Sequence, residues 1–199
     1  MDGVETIAYC GLYERCGKRL VDIFVAAIAL IALSPLIFTV ALLIKIFDAG
    51  PIIFRQVRVG KDGCDFVFLK FRSMPVGTKS LPSDQVGTVR LTWIGRLIRR
   101  SNLDELPQLW LILVGKMSLI GPRPPLRTQQ ELIELRLRNG ALRCRPGLTG
   151  LAQVNSYSGM SVAEKAGYDG KYAKTVSLWG DFSIVLKTFL YLLRPPPVY

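Results

Sequence analysis

The chain contains no histidine. Across 199 residues, that removes the commonest general base and excludes nucleophile systems of the Ser-His-Asp or Cys-His kind. There is no Walker-type phosphate loop, no Gly-x-Gly-x-x-Gly turn and no Gly-x-Ser-x-Gly elbow, so the usual nucleotide-binding and esterase readings lack their motifs. The four cysteines, Cys10, Cys16, Cys64 and Cys144, show no Cys-x-x-Cys spacing. A structural zinc site is therefore not expected, and reduced thiols facing a cytosol are. Internal repeats and low-complexity segments are absent. Acid is scarce: fifteen Asp and Glu against twenty-six Lys and Arg leave a net charge of +11. Such an excess calls for a polyanionic partner, whether nucleic acid, anionic lipid or phosphorylated substrate. Composition does not choose among them.

What the chain does have is a long uncharged run from Ile23 to Ile44, "IFVAAIALIALSPLIFTVALLI". As a helix it would extend about 33 Å, enough for a hydrocarbon core of ~30 Å. It is too long for the apolar part of a signal peptide, and no cleavage site follows. Ser34-Pro35 interrupts it, and Ser34 is placed to bond a carbonyl one turn back. Arg15, Lys18 and Arg19 precede the run, whereas Lys45, Arg55, Arg58 and Lys61 follow it. Positive charge on both sides gives no inside–outside asymmetry. A kinked spanning helix and a helix that dips into one leaflet and returns both fit.

Gly50 to Met74 reads as a β-hairpin around Gly60-Lys61-Asp62-Gly63. Alternation puts Lys70 and Arg72 on the same side of its second strand, a pair suited to an anion or simply a solvated strand end. Pro75 to Val89 has loop composition, and Trp93 to Arg100 reads as a short helix carrying Arg96, Arg99 and Arg100. Next comes "SNLDELPQLWLILVG". If Pro107 takes the third helical position, Asp104 becomes the N-cap, and both Asp104 and Glu105 lie at the positive helix end, which favours their ionised forms. The helix is expected to end near Gly115. "MSLIGPRPP" presents Arg123 between two prolines, a rigid display of a guanidinium fork that suits phosphate. A polar helix from Thr128 to Asn139 leads to a second turn, "RCRPGLTGLAQV". In the tail, Asp169 and Asp181 read singly as surface acids. The apolar run with Trp179, Phe182, Phe189 and Tyr191, accompanied by Lys187 and Arg194, suits either a membrane-interface helix or core packing.

Asp104 by itself fits a helix cap. With Glu105 and the surrounding cations it also fits a phosphate–metal site or a structural ion-pair network. The rival from a different class is a non-catalytic, membrane-anchored basic protein that binds anionic lipid or nucleic acid. Nucleic acid is not expected, because no recognition helix, RNA-binding signature or zinc module is present.

The runs "RQVRVG", "FLKFRSM", "RSNLDELPQLW", "MSLIGPRP", "RPGLTGLAQV" and "DGKYAKTVSLWGD" resemble the bacterial sugar transferase family, the monotopic phosphoglycosyl transferases, from about Arg15 to about Leu193. The resemblance implies an α+β, mainly helical fold with amphipathic interfacial helices around a cytoplasmic catalytic site. It implies a re-entrant membrane helix broken at Ser34-Pro35, two regions (1–48 with the membrane helix, 49–199 catalytic) and the cytoplasmic face of a bacterial inner membrane. It further implies Mg²⁺ held by Asp104, with Asp104 as the nucleophile toward a UDP-sugar, an N-acetylated hexosamine being the expected sugar. Polyprenyl phosphate is the implied acceptor, anionic phospholipid the setting, and self-association is left open. Glu105 would assist the metal or the incoming phosphate. Lys70, Arg72, Arg99, Arg100 and Arg123 are the implied phosphate ligands, joined by Asp169 and Tyr172 from the last motif. Leu111, Lys116 and Leu151 depart from the family pattern, which has Asn, Asp and Trp in many members, and are left out of the site.

Overall fold

A computed structural model describes residues 13–48, 50–75, 92–155 and 160–192. The loop expected after Pro75, Cys10 and Arg194 lie outside the described residues.

Two apolar helices open the fold, α1 (Lys18–Ala32) and α2 (Ser34–Phe47), separated at Leu33 with φ −92° and ψ 1°. Pro35 falls in the first turn of α2, where a missing N–H breaks no helical bond. Ser34 Oγ donates to the Ile31 carbonyl at 2.8 Å, and Thr39 Oγ1 donates to the Pro35 carbonyl at 2.8 Å, so local hydroxyls cover the break. Among the described residues, Lys18–Phe47 is the one helical stretch long and apolar enough to cross a membrane. Its outer face is bare: Ile31 is 76% exposed and Phe38 70%.

Both ends of this pair dock on the rest of the protein. At the start of α1, Arg19 donates to the carbonyls of Ile112 and Leu113 at 2.6 and 2.7 Å, and buried Asp22 accepts from the Leu119 amide at 3.0 Å. An arginine at those carbonyls satisfies the otherwise unpaired end of a helix. At the far end of α2, Val40 and Ile44 pack with Phe71 and Ile98.

The hairpin pairs β1 (Ile53–Val59) with β2 (Asp65–Phe71), Ile53 opposite Phe71 and Val59 opposite Asp65. Phe66 and Phe68 on one face of β2 meet Ala26 of α1 and Leu109, Leu111, Ile112 and Met117 in the main core. Helix α3 (Trp93–Arg100) is capped by Thr92, whose Oγ1 accepts from the Gly95 amide at 3.0 Å. Helix α4 (Gln108–Leu113) follows, ending before Gly115, whose φ of +81° reverses the chain.

The two Gly/Pro/Arg-rich turns hold more order than their composition suggests. Within them lie β3 (Ser118–Ile120) and β4 (Gly147–Thr149), which pair in parallel. Parallel strands this short and this far apart in sequence leave no periodic signal. Between and after them come α5 (Gln130–Arg138), α6 (Leu151–Asn155), α7 (Val162–Lys174) and α8 (Leu178–Leu192). A capping box between Ser161 and Glu164 starts α7.

Asp169 and Asp181 are not surface acids: they are 1% and 4% exposed. Each is buried because it has a fixed cation. Asp169 Oδ2 accepts from Arg136 Nε and Nη2 at 2.8 and 2.5 Å. Asp181 accepts from Lys18 Nζ at 2.6 Å, Tyr13 Oη at 2.8 Å and Tyr172 Oη at 2.9 Å, tying α8 to the start of α1. The opposite face of α8 exposes Trp179, Phe182, Leu186, Phe189 and Leu190, and α3 exposes Trp93 and Leu97. Trp93 stacks edge-on with Phe47 at 5.2 Å, so α3 joins the apolar surface of α2.

Candidate active site

Asp104 and Glu105 do not begin an α-helix. Asn102, at φ 54°, adopts the left-handed conformation that Asn tolerates better than most residues, and a 3₁₀ turn follows at Leu103–Glu105. Pro107 is the residue that caps α4. The expected N-cap role for Asp104 is thereby corrected: the tight turn separates it from the helix and buries it at 5% exposure.

Lys70 continues the inward face of β2 begun by Phe66 and Phe68. Its ammonium lies 3.4 Å from Asp104 Oδ2 and 3.3 Å from Glu105 Oε1. Arg123 reaches the same carboxylate oxygen, with Nη2 donating to Glu105 Oε1 at 2.8 Å. Four of the expected residues thus meet in one place: Lys70, Asp104, Glu105 and Arg123.

The two carboxyls diverge in acidity. Burial pushes Asp104 above the ordinary carboxylate range against the pull of Lys70, and the neighbouring Glu105 charge adds to the rise. Position at the positive end of a helix would have favoured its ionised form; burial in the turn reverses that expectation. Burial also acts to raise Glu105, but Arg123 and Lys70 outweigh it and bring the carboxyl down to about 2. Glu105 in turn raises Arg123. The outcome is one poorly solvated, more basic carboxylate beside one firmly ionised partner. Pairs driven apart in this way are characteristic of reacting sites.

The other expected ligands sit elsewhere. Arg72 lies on the same face of the hairpin but binds Asp48 at the end of α2, donating to its backbone carbonyl and standing 3.4 Å from Oδ1. Arg99 and Arg100 close α3, half-buried and exposed respectively, and no hydrogen bond or ion pair joins them to the acid pair among the described residues. Asp169 is held by Arg136, and Tyr172 Oη donates to Asp181 and to the Ile120 carbonyl.

Two cations missed by the sequence reading lie behind Arg123. Arg58, 8% exposed, donates through Nη1 to the Pro124 carbonyl at 2.7 Å. Arg136, 2% exposed, donates through Nη1 to the Arg123 carbonyl at 2.8 Å. A signal existed for Arg136: it stands four residues after buried Leu132, on the inward stripe of α5.

An acid pair held by cations, in a fold with one helical stretch long and apolar enough to cross a membrane among the described residues, defines a protein suited to phosphorylated ligands. The chain belongs to the bacterial sugar transferase family, which it matches over residues 13–195. It is 39% identical over 191 residues to the UDP-glucose:undecaprenyl-phosphate glucose-1-phosphate transferase of Caulobacter vibrioides, covering 92% of this chain and 72% of that protein. It is 41% identical over 183 residues to the UDP-N-acetylgalactosamine-undecaprenyl-phosphate N-acetylgalactosaminephosphotransferase of Aeromonas hydrophila, covering 88% of this chain and 43% of that protein. It is also 38% identical over 192 residues to the exopolysaccharide production protein ExoY of Sinorhizobium fredii, covering 86% and 83%. The chain spans about two fifths of the length of several curated relatives it matches.

Proposed function

We propose that Asp104 carries a sugar 1-phosphate from a UDP-sugar to a polyprenyl phosphate through a covalent intermediate. The chain is a UDP-sugar:undecaprenyl-phosphate sugar-1-phosphate transferase that starts polysaccharide assembly. The observation that carries the mechanism is the pairing of a buried carboxyl of raised pKa with a fully ionised neighbour between Lys70 and Arg123.

In the first half-reaction, an Asp104 carboxylate oxygen attacks the phosphorus that bears the sugar. The bond from that phosphorus to the bridging oxygen breaks, and UMP leaves with the electron pair. In the second, an oxygen of polyprenyl phosphate attacks the same phosphorus. The bond to the Asp104 oxygen breaks, freeing the carboxylate and giving polyprenyl-diphosphate-sugar. No net proton is needed in either half, which suits a site without histidine. Poor solvation makes Asp104 a better nucleophile, and Lys70 and Arg123 offset the repulsion between it and a diphosphate. Glu105 keeps Arg123 and Lys70 aimed.

The donor set also fits Mg²⁺. That ion is commonly held by one or two carboxylates together with substrate phosphates, and Asp104 and Glu105 already converge on the single cation Lys70. No cluster of three or more His, Cys, Asp or Glu occurs among the described residues, so the phosphates would complete the shell. Held by Asp104, the ion would supply further charge neutralisation. The sugar is a hexose or N-acetylated hexosamine, as in the relatives. The test is a screen of UDP-sugars for UMP release with polyprenyl phosphate, with mass spectrometry of the protein quenched without acceptor. A sugar-phosphate adduct on Asp104 is expected; turnover with no adduct on Asp104 would reject the covalent route.

Residues 1–48 form the membrane region and 49–199 a catalytic region on the cytoplasmic face of the inner membrane. Re-entry of α1 and α2 is supported by their two docked ends, Arg19 and Asp22 on one side and Val40 and Ile44 on the other, against the same body. The exposed aromatic faces of α3 and α8 suit the lipid interface. Exposed Cys16 and Cys64 flank the helix pair and serve as reporters. In single-cysteine variants, a membrane-impermeant maleimide should label both from the same side of oriented vesicles. Labelling from opposite sides would establish a spanning helix.

A further inference from the structure

We infer that Arg58 and Arg136 are positioning residues for Arg123, acting on the backbone of its turn and not on substrate. The inference rests on the reading above that Arg123 serves phosphoryl transfer. The turn Pro122-Arg123-Pro124-Pro125 contains three residues without an N–H, so it offers almost no donors with which to fix itself. It is held instead through four successive carbonyls. Pro122 accepts from the Gly147 amide at 2.9 Å and Pro125 from the Val59 amide at 3.0 Å. Between them, the Arg123 carbonyl takes Arg136 Nη1 at 2.8 Å and the Pro124 carbonyl takes Arg58 Nη1 at 2.7 Å.

Each guanidinium is itself locked. Arg136 places Nε and Nη2 on Asp169, which leaves Nη1 aimed at the turn. Arg58 places Nε and Nη2 on Gln56 Oε1 and lies 4.8 Å from the Phe68 ring centroid. A guanidinium donates to its two partners from different nitrogens of one rigid plane, whereas an ammonium donates from a single point, so the geometry favours arginine over lysine. Burying a charge is costly, and apolar side chains would fill the same space more cheaply. What apolar side chains would not supply is a donor at the Arg123 and Pro124 carbonyls, which lie on either side of Pro124. Those bonds set the direction in which Arg123 leaves the turn, and hence its 2.8 Å contact with Glu105.

The experiment compares Arg58→Lys and Arg136→Lys in the full chain, in lipid nanodiscs. A displacement of the Arg123 fork by about 1 Å is expected to lower kcat by roughly 100-fold, with little change in KM for the UDP-sugar. Neither substitution should lower kcat further in an Arg123→Ala background. A second readout needs no turnover: backbone hydrogen exchange should quicken in residues 118–130 while α1 and α8, which neither arginine touches, keep their protection. Wild-type kcat in the folded variants, an undiminished loss in the Arg123→Ala background, or exchange quickened throughout the protein would each overturn the inference. So would failure of both variants to fold, since that would make the arginines fold elements. If the wild-type chain releases no UMP from any UDP-sugar, the functional reading fails alone, and the exchange result still decides the role of the two arginines.

Discussion

Asp104→Asn is expected to abolish UMP release, lowering kcat by at least about 10⁴-fold, while making the protein more resistant to heat. The amide is nearly the same shape but is no nucleophile at phosphorus, so neither half-reaction has a starting point. The stability effect follows from the carboxyl's raised pKa. A group whose folded pKa lies above its unfolded value favours folding when protonated, and that contribution is lost as pH rises through the folded value. Burial disfavours the ionised form of Asp104, and the neutral amide removes that cost. Thermal melting of wild type and variant at pH 7 checks this, alongside the UMP assay. A variant that turns over at the wild-type rate would end the assignment of Asp104 as nucleophile. One that melts lower would contradict the account of its burial. Function and stability pull in opposite directions at this residue, as is common where a charge must stay reactive.

The second large effect is at Arg123. Arg123→Ala is expected to lower kcat by about 10²–10³-fold, the usual cost of removing one preorganised donor from developing phosphate charge. It should also move the acid limb of kcat/KM to higher pH. The sign follows from the nucleophile Asp104, whose raised carboxyl must be ionised to attack and titrates above Glu105; Arg123 is one of the charges that lower it, so its loss raises Asp104 further. Glu105 moves the same way: its carboxyl is held at about 2 rather than its ordinary 4.5 because Arg123 and Lys70 outweigh burial, and without Arg123 it protonates at higher pH. The same argument gives the stability window. Glu105's contribution is present above 4.5 and fades as pH falls toward about 2 in the wild type, and it fades earlier in the variant. A pH–rate profile for both proteins checks the limb. An unchanged acid limb with the kcat loss intact would show that Arg123 acts on substrate alone, not through the acid pair.

Much of the molecule can be read from its residues. The uncharged run with its Ser-Pro interruption marks the helix pair, because length and hydropathy are local properties. The hairpin follows from alternation about a Gly-rich turn, and α3 follows from Trp93 to Arg100 with Thr92 at its start. The block around Asp104 and the rigid display of Arg123 are also legible, since they depend on neighbours in sequence. What sequence reading missed depends on partners distant in sequence. Asp169 and Asp181 read as surface acids because nothing local announces Arg136, 33 positions away, or Lys18, 163 positions away. Arg72 and Lys70 look equivalent on one strand face, yet one ends on Asp48 and the other at the acid pair.

The sequence by itself determined which chemical groups were present, where the apolar surface would be and which family the chain resembles. Only the tertiary structure decided that Asp104 is raised and Glu105 lowered, though they are adjacent and both carboxylic acids. Acidity depends on solvent loss and on charges brought from β2 and from the turn after β3, and those distances do not exist until the chain has folded.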